Sequence, residues 1–160
     1  ISLLQKQEEN VVRSDTRFRD ASKEAGKLGT WVSNSEQFRI MNSNQQQFLI
    51  PADRMRDVSL LQQNLYVRKA GVCAGSLSGD VFVPSHELAL SIDCSADIPS
   101  VNLSLEASIA YLRGETMGLP VEHQGWHRAQ FEGQSLGWLK GIGRRVNNYY
   151  PKENRILKRD

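Results

Sequence analysis

Apolar and polar residues alternate most regularly toward the C-terminal end of the chain. Residues 126–131 and 136–142 each have the two-residue period that predicts a β-strand, and Glu132-Gly133-Gln134 between them predicts a tight turn. Glycines within the second strand would let another backbone approach closely. From residue 143 to Pro151 the pattern becomes polar, which predicts a loop carried on a β-hairpin.

Upstream of this hairpin, short apolar runs alternate with polar turns. Residues 38–41, 48–50, 65–69 and 81–83 predict strands, and residues 52–63 predict a helix that begins after a proline. Short strands mixed with a few short helices predict the α+β class.

Two further elements follow from the same patterns. A helix is predicted to begin at Ser104, with Leu105, Ile109 and Leu112 as its buried stripe. Residues 154–157 predict a last short strand.

The first 25 residues contain few apolar positions. Leu3, Leu4, Val11 and Val12 are compatible with one amphipathic helix, and a charged stretch follows. We therefore expect residues 1–26 to be a linker or an amphipathic helix that packs on another domain or recruits a partner. The chain begins with isoleucine, and we interpret it as a piece of a longer protein.

The composition is that of a soluble globular protein. The chain has 160 residues, of which 39% are hydrophobic and 24% charged, and no apolar run approaches the length of a membrane span. Its N-terminus has neither the basic start nor the apolar stretch of a signal peptide. We therefore expect a cytoplasmic protein without a membrane partner.

Positive charge is concentrated at the C-terminal end. Residues 134–160 contain seven Lys or Arg against two acidic residues, a net charge of +5, whereas the whole chain has +2. Cations beside aromatic rings and amides are the chemistry of nucleic-acid binding, because they neutralise phosphates, stack on unpaired bases and read base edges. A solvated C-terminal face would give the same charge, so composition alone does not decide.

Three stretches carry a resemblance to a known family. They are LGWLKGIGRRVNNYYPKENRI (residues 136–156), LYVRKAGVCAGSLSGDVFVPSHELALS (residues 65–91) and SLEASIAYLRGE (residues 104–115). In order and spacing they resemble the C-terminal region of Sun-family RNA cytosine-5 methyltransferases, in the branch of the bacterial 16S rRNA methyltransferase F. The resemblance runs from about residue 29 to residue 159.

The resemblance implies a fold and a domain organisation. It implies a small PUA-like mixed β pseudo-barrel with short helices, preceded by a small α/β pre-PUA unit. We expect a pre-PUA-like subdomain at residues 27–90 and a PUA-like RNA-binding domain at residues 91–160. The chain departs from the family pattern at Arg144, where an asparagine is expected, and at Asn154, where a tryptophan is expected.

The basic segment supplies the predicted site. Its cations would contact phosphates, its asparagines would fix the loop or read a base edge or a 2′-hydroxyl, and one tyrosine would stack on a base. Trp126 and Trp138 are left out, because such large aromatic residues more often belong to the core. The predicted RNA-binding residues are Lys140, Arg144, Arg145, Asn147, Asn148, Tyr149, Lys152 and Arg155.

No motif for catalysis or cofactor binding is recognisable. Cys73 and Cys94, with His86 between them, have neither the spacing nor the ligand number of a zinc site, and neither cysteine has the proline-cysteine context of the family's catalytic motifs. No glycine fingerprint of a nucleotide cofactor is present. We therefore expect a non-catalytic chain without metal or cofactor, and S-adenosylmethionine bound to a methyltransferase domain outside it.

The resulting interpretation is an RNA-binding C-terminal region of an S-adenosylmethionine-dependent rRNA (cytosine-5) methyltransferase. It would position structured RNA, in the first place small-subunit rRNA, for the catalytic domain. One alternative is a protein-interaction or domain-docking module in which residues 1–64 bind a partner. Another is a small independent enzyme using His86, His123 or a cysteine, which no motif supports.

Overall fold

The computed structural model describes residues 18–21, 25–116 and 124–157, which form two β-sheets and four short helices. Most of the predicted N-terminal segment, residues 1–17 and 22–24, lies outside the described residues. Among those described, no helix is both long enough and apolar enough to cross a membrane. The α+β class predicted from the sequence is confirmed, and the second sheet is consistent with a small PUA-like barrel.

The first sheet is antiparallel throughout, in the order of the chain. The hairpins within it close over two-residue turns whose backbones adopt a positive φ, as tight turns require. Its strands are β1 (Arg19–Asp20), β2 (Phe38–Ser43), β3 (Gln46–Pro51), β4 (Val72–Ser78) and β5 (Val81–Pro84).

Two helices accompany this sheet. Helix α1 spans Ala25–Leu28 and precedes β2, whereas α2 spans Met55–Asn64 and lies between β3 and β4. Met55 and Val58 of α2 pack on a small cluster of buried residues from the sheet. The predicted helix is therefore confirmed.

The second sheet has the order β6-β7-β8-β9. Its first pair is parallel and the other two pairs are antiparallel. The strands are β6 (Ser100–Asn102), β7 (Gly125–Phe131), β8 (Gln134–Ile142) and β9 (Arg145–Asn148). The hairpin predicted from the alternating pattern is β7–β8.

Two helices pack near the second sheet, and each begins at a serine cap. Helix α3 (His86–Leu90) is capped by Ser85, whose side chain accepts a hydrogen bond from the Leu88 amide. Helix α4 (Leu105–Leu112) is capped by Ser104 in the same way. Each cap provides a partner for one amide that the first helical turn leaves free.

Three predictions of local structure were wrong. Residues 65–69 are not a strand, because α2 extends to Asn64 and the chain then returns over the surface to β4. Residues 154–157 are not a strand either, since Lys152–Asn154 form a 3-10 turn and the Ile156 amide donates to the Leu112 carbonyl. The predicted loop after Gly143 contains strand β9, because the Gly143-Arg144 turn pairs this segment with β8.

The predicted buried stripe of α4 was wrong at two of its three positions, since only Leu112 packs against a core cluster. Leu105 is 61% exposed and Ile109 36%, whereas Ser108 and Tyr111 are buried. The helix is oriented by the Tyr111 hydroxyl, which reaches the Trp138 carbonyl at 3.2 Å. This hydrogen bond satisfies a buried phenol, and apolar side chains on the opposite side then face outward.

One hydrophobic core joins the two sheets. Trp138 of β8 is 1% exposed and belongs to the same buried cluster as Val32, Leu49 and Phe82 from the first part of the chain. Its indole Nε1 donates to the Ser85 carbonyl at 2.6 Å. Because a single cluster contains residues from both sheets, the sheets should unfold together.

This shared core predicts the effect of replacing Trp138 by phenylalanine. Trp138→Phe removes the short indole hydrogen bond to the part-buried Ser85 carbonyl and opens space in the core, so it should lower the free energy of unfolding by about 2 kcal/mol. Urea unfolding followed by circular dichroism would measure the change, with one cooperative transition in both proteins. Leu105→Ala, at an exposed apolar position, is the control and should change stability by no more than about 0.5 kcal/mol. Two separate transitions would contradict a shared core.

Candidate nucleic-acid interface

Strand β9 separates two sets of side chains by its two-residue period. Arg145, Asn147 and Tyr149 are exposed, whereas the residues between and after them, Val146, Asn148 and Tyr150, are half-buried. The alternation continues past the end of β9, because the Tyr149 amide donates to the Trp138 carbonyl at 3.0 Å. A cation, an amide and an aromatic ring therefore follow one another on the outer face of one strand.

The tight turn before β9 sets this arrangement. Ile142 of β8 pairs with Arg145, and only Gly143 and Arg144 lie between them. Gly143 has a φ of 59°, a left-handed backbone that a side chain would strain. Arg144 is exposed in the turn itself, so the departure from the family pattern places a cation there.

The inner face of β9 is held by hydrogen bonds. The Asn148 amide nitrogen donates to the Tyr111 carbonyl at 2.8 Å and to the Glu115 carbonyl at 2.9 Å. Its oxygen accepts from the Tyr150 amide at 2.8 Å. Asn148 thus ties β9 to the C-terminal end of α4, where carbonyl groups lack helical partners.

Aromatic rings and a glycine support the same inner face. The Tyr150 ring meets those of His86 and Tyr111 edge-on, at centroid distances of 5.3 and 5.5 Å. Gly137 faces Tyr111 and His86 so closely that a Cβ there would collide with the Tyr111 hydroxyl. Burial raises the pKa of Tyr111 and lowers that of His86, so near neutral pH both side chains are uncharged.

The outer face continues across three strands. Trp126 of β7 pairs with Lys140 of β8, which pairs with Asn147 of β9, so the three side chains lie in one row on one face. The Lys140 Nζ lies 4.8 Å from the centre of the Trp126 ring, a cation–π contact. The Trp126 and Tyr149 rings are 4.4 Å apart at an angle of 61°. Trp126 therefore contacts both a cation and an exposed ring.

Two predicted residues follow the Tyr-Pro turn and differ in their surroundings. Lys152 is exposed in the 3-10 turn, and its neighbours include the acidic Glu153. Arg155 is half-buried, and its guanidinium lies against Gly114, just after α4, where a Cβ would collide with it. Arg155 therefore packs on the framework, whereas Lys152 is available to solvent.

The structure brings part of the predicted set onto one surface, which we call the β9 surface. Four members lie on the exposed side of β9 or beside it with Trp126, and the exposed cations Arg144 and Lys152 flank the strand in sequence. Asn148 and Arg155 are engaged in packing and hydrogen bonds instead. The β9 surface consists of Trp126, Lys140, Arg145, Asn147 and Tyr149.

The predicted site excludes Trp126 as a core aromatic residue, but a β-bulge places it beside Lys140. Phe131 pairs with Gln134, but the register shifts between Ala129 and Gln130. A hairpin without this shift would place Trp126 opposite Leu139, whereas the bulge places it opposite Lys140. The alternating pattern predicted the strand correctly. It could not predict the bulge, because nothing in the pattern marks the extra residue that shifts the register.

The described groups that were considered for catalysis are the two cysteines and His86. Cys73 and Cys94 are buried, and burial raises the pKa of both thiols, which disfavours the nucleophilic thiolate. Within the described parts of the chain, no group of three or more His, Cys, Asp or Glu side chains could hold a metal ion. His123 lies outside these parts.

The two adjacent asparagines provide a matched test of the division between framework and surface. Asn148→Ala removes three part-buried hydrogen bonds, to the Tyr111 and Glu115 carbonyls and from the Tyr150 amide, so it should lower the free energy of unfolding by about 1–3 kcal/mol. Asn147→Ala changes an exposed side chain and should shift stability by no more than about 0.5 kcal/mol. Thermal or urea unfolding of both variants measures the difference. Equal decreases in the free energy of unfolding would contradict the assignment of Asn148 to the buried side and Asn147 to the exposed side of β9.

Comparison with known proteins identifies the second part of the chain. Residues 98–156 match the family model described as the methyltransferase RsmF PUA domain. No curated protein matches the chain. The matched residues include β6 to β9, α4 and the whole β9 surface. The resemblance predicted from the sequence is confirmed for residues 98–156, which are similar to the PUA domain of the methyltransferase RsmF.

Proposed function

We propose that this chain is the RNA-binding C-terminal region of a Sun-family rRNA methyltransferase. In this proposal it holds structured RNA, in the first place small-subunit rRNA, for a catalytic domain outside the chain. That domain would bind S-adenosylmethionine and methylate carbon 5 of a cytosine in the cytoplasm. The family match to a PUA domain of a methyltransferase supports the RNA-binding part of this role.

The observation that carries the proposal is the outer face of β9. Arg145, Asn147 and Tyr149 are consecutive outward side chains, and Lys140 lies opposite Asn147 on the neighbouring strand. Cations neutralise phosphates and release counterions, which provides affinity that does not depend on sequence. The Asn147 amide and the Tyr149 ring offer additional contacts to a base, which bind a part of the RNA other than its phosphates.

The roles of the predicted residues can now be divided. We propose that Lys140, Arg144, Arg145 and Lys152 contact phosphates, because all four are at least partly exposed and lie in the β9 surface or close to it in sequence. Asn148 and Arg155 would act indirectly, since they fix β9 and the segment after it to α4. The chain itself would carry no catalytic group, so its contribution is to position the RNA.

One observation favours a second role for the first part of the chain. Leu60 and Leu61 of α2 and the following Leu65 and Tyr66 are between 46% and 67% exposed. Adjacent apolar side chains on a surface often mark a contact with another protein or domain. A domain-docking role for α2 is compatible with RNA binding by the β9 surface, because the two sets of residues are distinct.

The charge contribution can be measured by removing three exposed cations. Arg144, Arg145 and Lys152 changed together to alanine should lower affinity for stem-loop fragments of small-subunit rRNA. The slope of log affinity against log salt should decrease by about two, because three phosphate contacts are lost. Fluorescence anisotropy across a salt series measures both quantities.

A second triple variant controls for the loss of charge itself. Arg39, Arg56 and Arg68 are exposed in the first part of the chain, and changing them to alanine removes the same net charge. This variant should retain the salt slope of the unchanged protein. If the slope of log affinity against log salt decreases equally in both triple variants, net charge rather than the β9 surface governs binding. If the unchanged protein does not bind RNA, the proposed function is wrong.

A further inference from the structure

The β9 surface offers the three chemical groups that a nucleotide needs. The Arg145 guanidinium suits a phosphate, the Asn147 amide can both donate and accept hydrogen bonds, and the Tyr149 ring offers a face for stacking. Each lies two residues from the next, which corresponds to a separation of about 7 Å along a strand. Groups at this separation can contact different parts of a single nucleotide.

The neighbours of Tyr149 hold its ring in place. The Trp126 ring contacts the Tyr149 ring at a centroid distance of 4.4 Å and an angle of 61°, while Tyr149 as a whole remains 38% exposed. The Tyr149 amide is also fixed, because it donates to the Trp138 carbonyl. A base could therefore stack on the exposed part of the ring without first ordering it, which lowers the entropic cost of binding.

Trp126 also positions the nearest cation. Lys140 Nζ lies over its ring, and the ring itself is in contact with Trp31 and Trp138 at centroid distances of 6.4 and 6.3 Å. Trp138 belongs to the core that joins the two sheets. The exposed ring of Tyr149 and the ammonium of Lys140 are thus both anchored through one indole to the rigid part of the fold.

Base pairing decides which kind of RNA can use these groups. In a duplex, the faces of a base are covered by its neighbours in the stack and its pairing edge is occupied. A ring and an amide at the surface of a sheet can reach the face and edge only of a base that is unpaired and turned outward. Phosphate contacts alone would need neither Tyr149 nor Asn147.

We propose that the β9 surface binds one unpaired ribonucleotide that projects from structured RNA. The base stacks on Tyr149, its edge is hydrogen-bonded by Asn147, and the adjoining phosphates are contacted by Arg145 and Lys140. Trp126 is a positioning residue that acts through Tyr149 and Lys140. This inference rests on the proposed RNA-binding function and specifies the class of RNA that the site selects.

The test compares two RNAs that have the same stem. One is a stem-loop with unpaired loop nucleotides, and the other is a blunt duplex of equal phosphate number. Tyr149→Ala should weaken binding of the stem-loop by about 5- to 100-fold, the range expected for loss of one stacked base. Its affinity for the duplex should change by less than about twofold, because the cations remain. Tyr149→Phe retains the ring and should bind both RNAs like the unchanged protein.

Two further variants test the edge contact and the positioning role. Asn147→Ala should reduce differences in affinity among stem-loops that vary only in the loop base, with the salt slope unchanged. Trp126→Phe should reduce the preference for stem-loop over duplex by a factor of about three or more, because a smaller ring holds Tyr149 and Lys140 less well. Unfolding curves should show that both variants are folded at the assay temperature. A Trp126→Phe protein with full preference for the stem-loop would overturn the positioning role.

The outcomes separate the two proposals. Tyr149→Ala could weaken binding of both RNAs equally, or the unchanged protein could bind the duplex more tightly than the stem-loop. Either result would show that the unpaired-nucleotide site is wrong, while the RNA-binding function would stand. If Tyr149→Ala has no effect on either RNA, stacking is likewise excluded. If the unchanged protein binds neither RNA at low salt, the proposed function fails together with this inference.

Discussion

The arrangement of this protein depends on the position of Trp138. Its side chain lies in the core shared by the two sheets, and its indole nitrogen donates to the Ser85 carbonyl at the start of α3. Its own carbonyl accepts hydrogen bonds from the Tyr111 hydroxyl and the Tyr149 amide. One residue therefore links the first sheet, α3, α4 and the segment after β9. Buried polar groups of this kind must keep their partners, so they fix relative orientation as well as adding stability.

This link gives the β9 surface a rigid support. Asn148 and Tyr150 face inward and are held by α4 and α3, whereas Arg145, Asn147 and Tyr149 face outward from the same short strand. The two-residue period of a strand makes the division possible within six consecutive residues. Adjacent residues of the same type, such as Asn147 and Asn148, therefore have different surroundings: Asn147 is exposed, whereas Asn148 is hydrogen-bonded to the framework.

The sequence predicted the parts of this structure that have a strong local pattern. The β7–β8 hairpin, α2 and the start of α4 at Ser104 follow from apolar periodicity and from turn and cap residues. Strand β9 was missed because Arg-Val-Asn-Asn has no apolar alternation, and its pairing is set by the turn before it. The orientation of α4 was missed because a tertiary hydrogen bond of Tyr111 decided it rather than the leucine and isoleucine stripe. The residue types in the sequence were enough to locate the basic segment of the site. Only the strand register of the structure shows that Asn147 faces outward and Asn148 inward, and that Trp126 lies beside Lys140.

The central claim is that RNA is bound by the outer face of β9 and its neighbours. Two-dimensional ¹H–¹⁵N NMR of the labelled chain, titrated with a stem-loop of small-subunit rRNA, tests this most directly because it reports on every amide and on the tryptophan indoles at once. The account predicts shifts at the backbone amides of Lys140, Arg145, Asn147 and Tyr149 and at the Trp126 indole, with the amides of α2 unchanged. Shifts confined to α2 and residues 65–66, or a spectrum that RNA leaves unchanged, would contradict it.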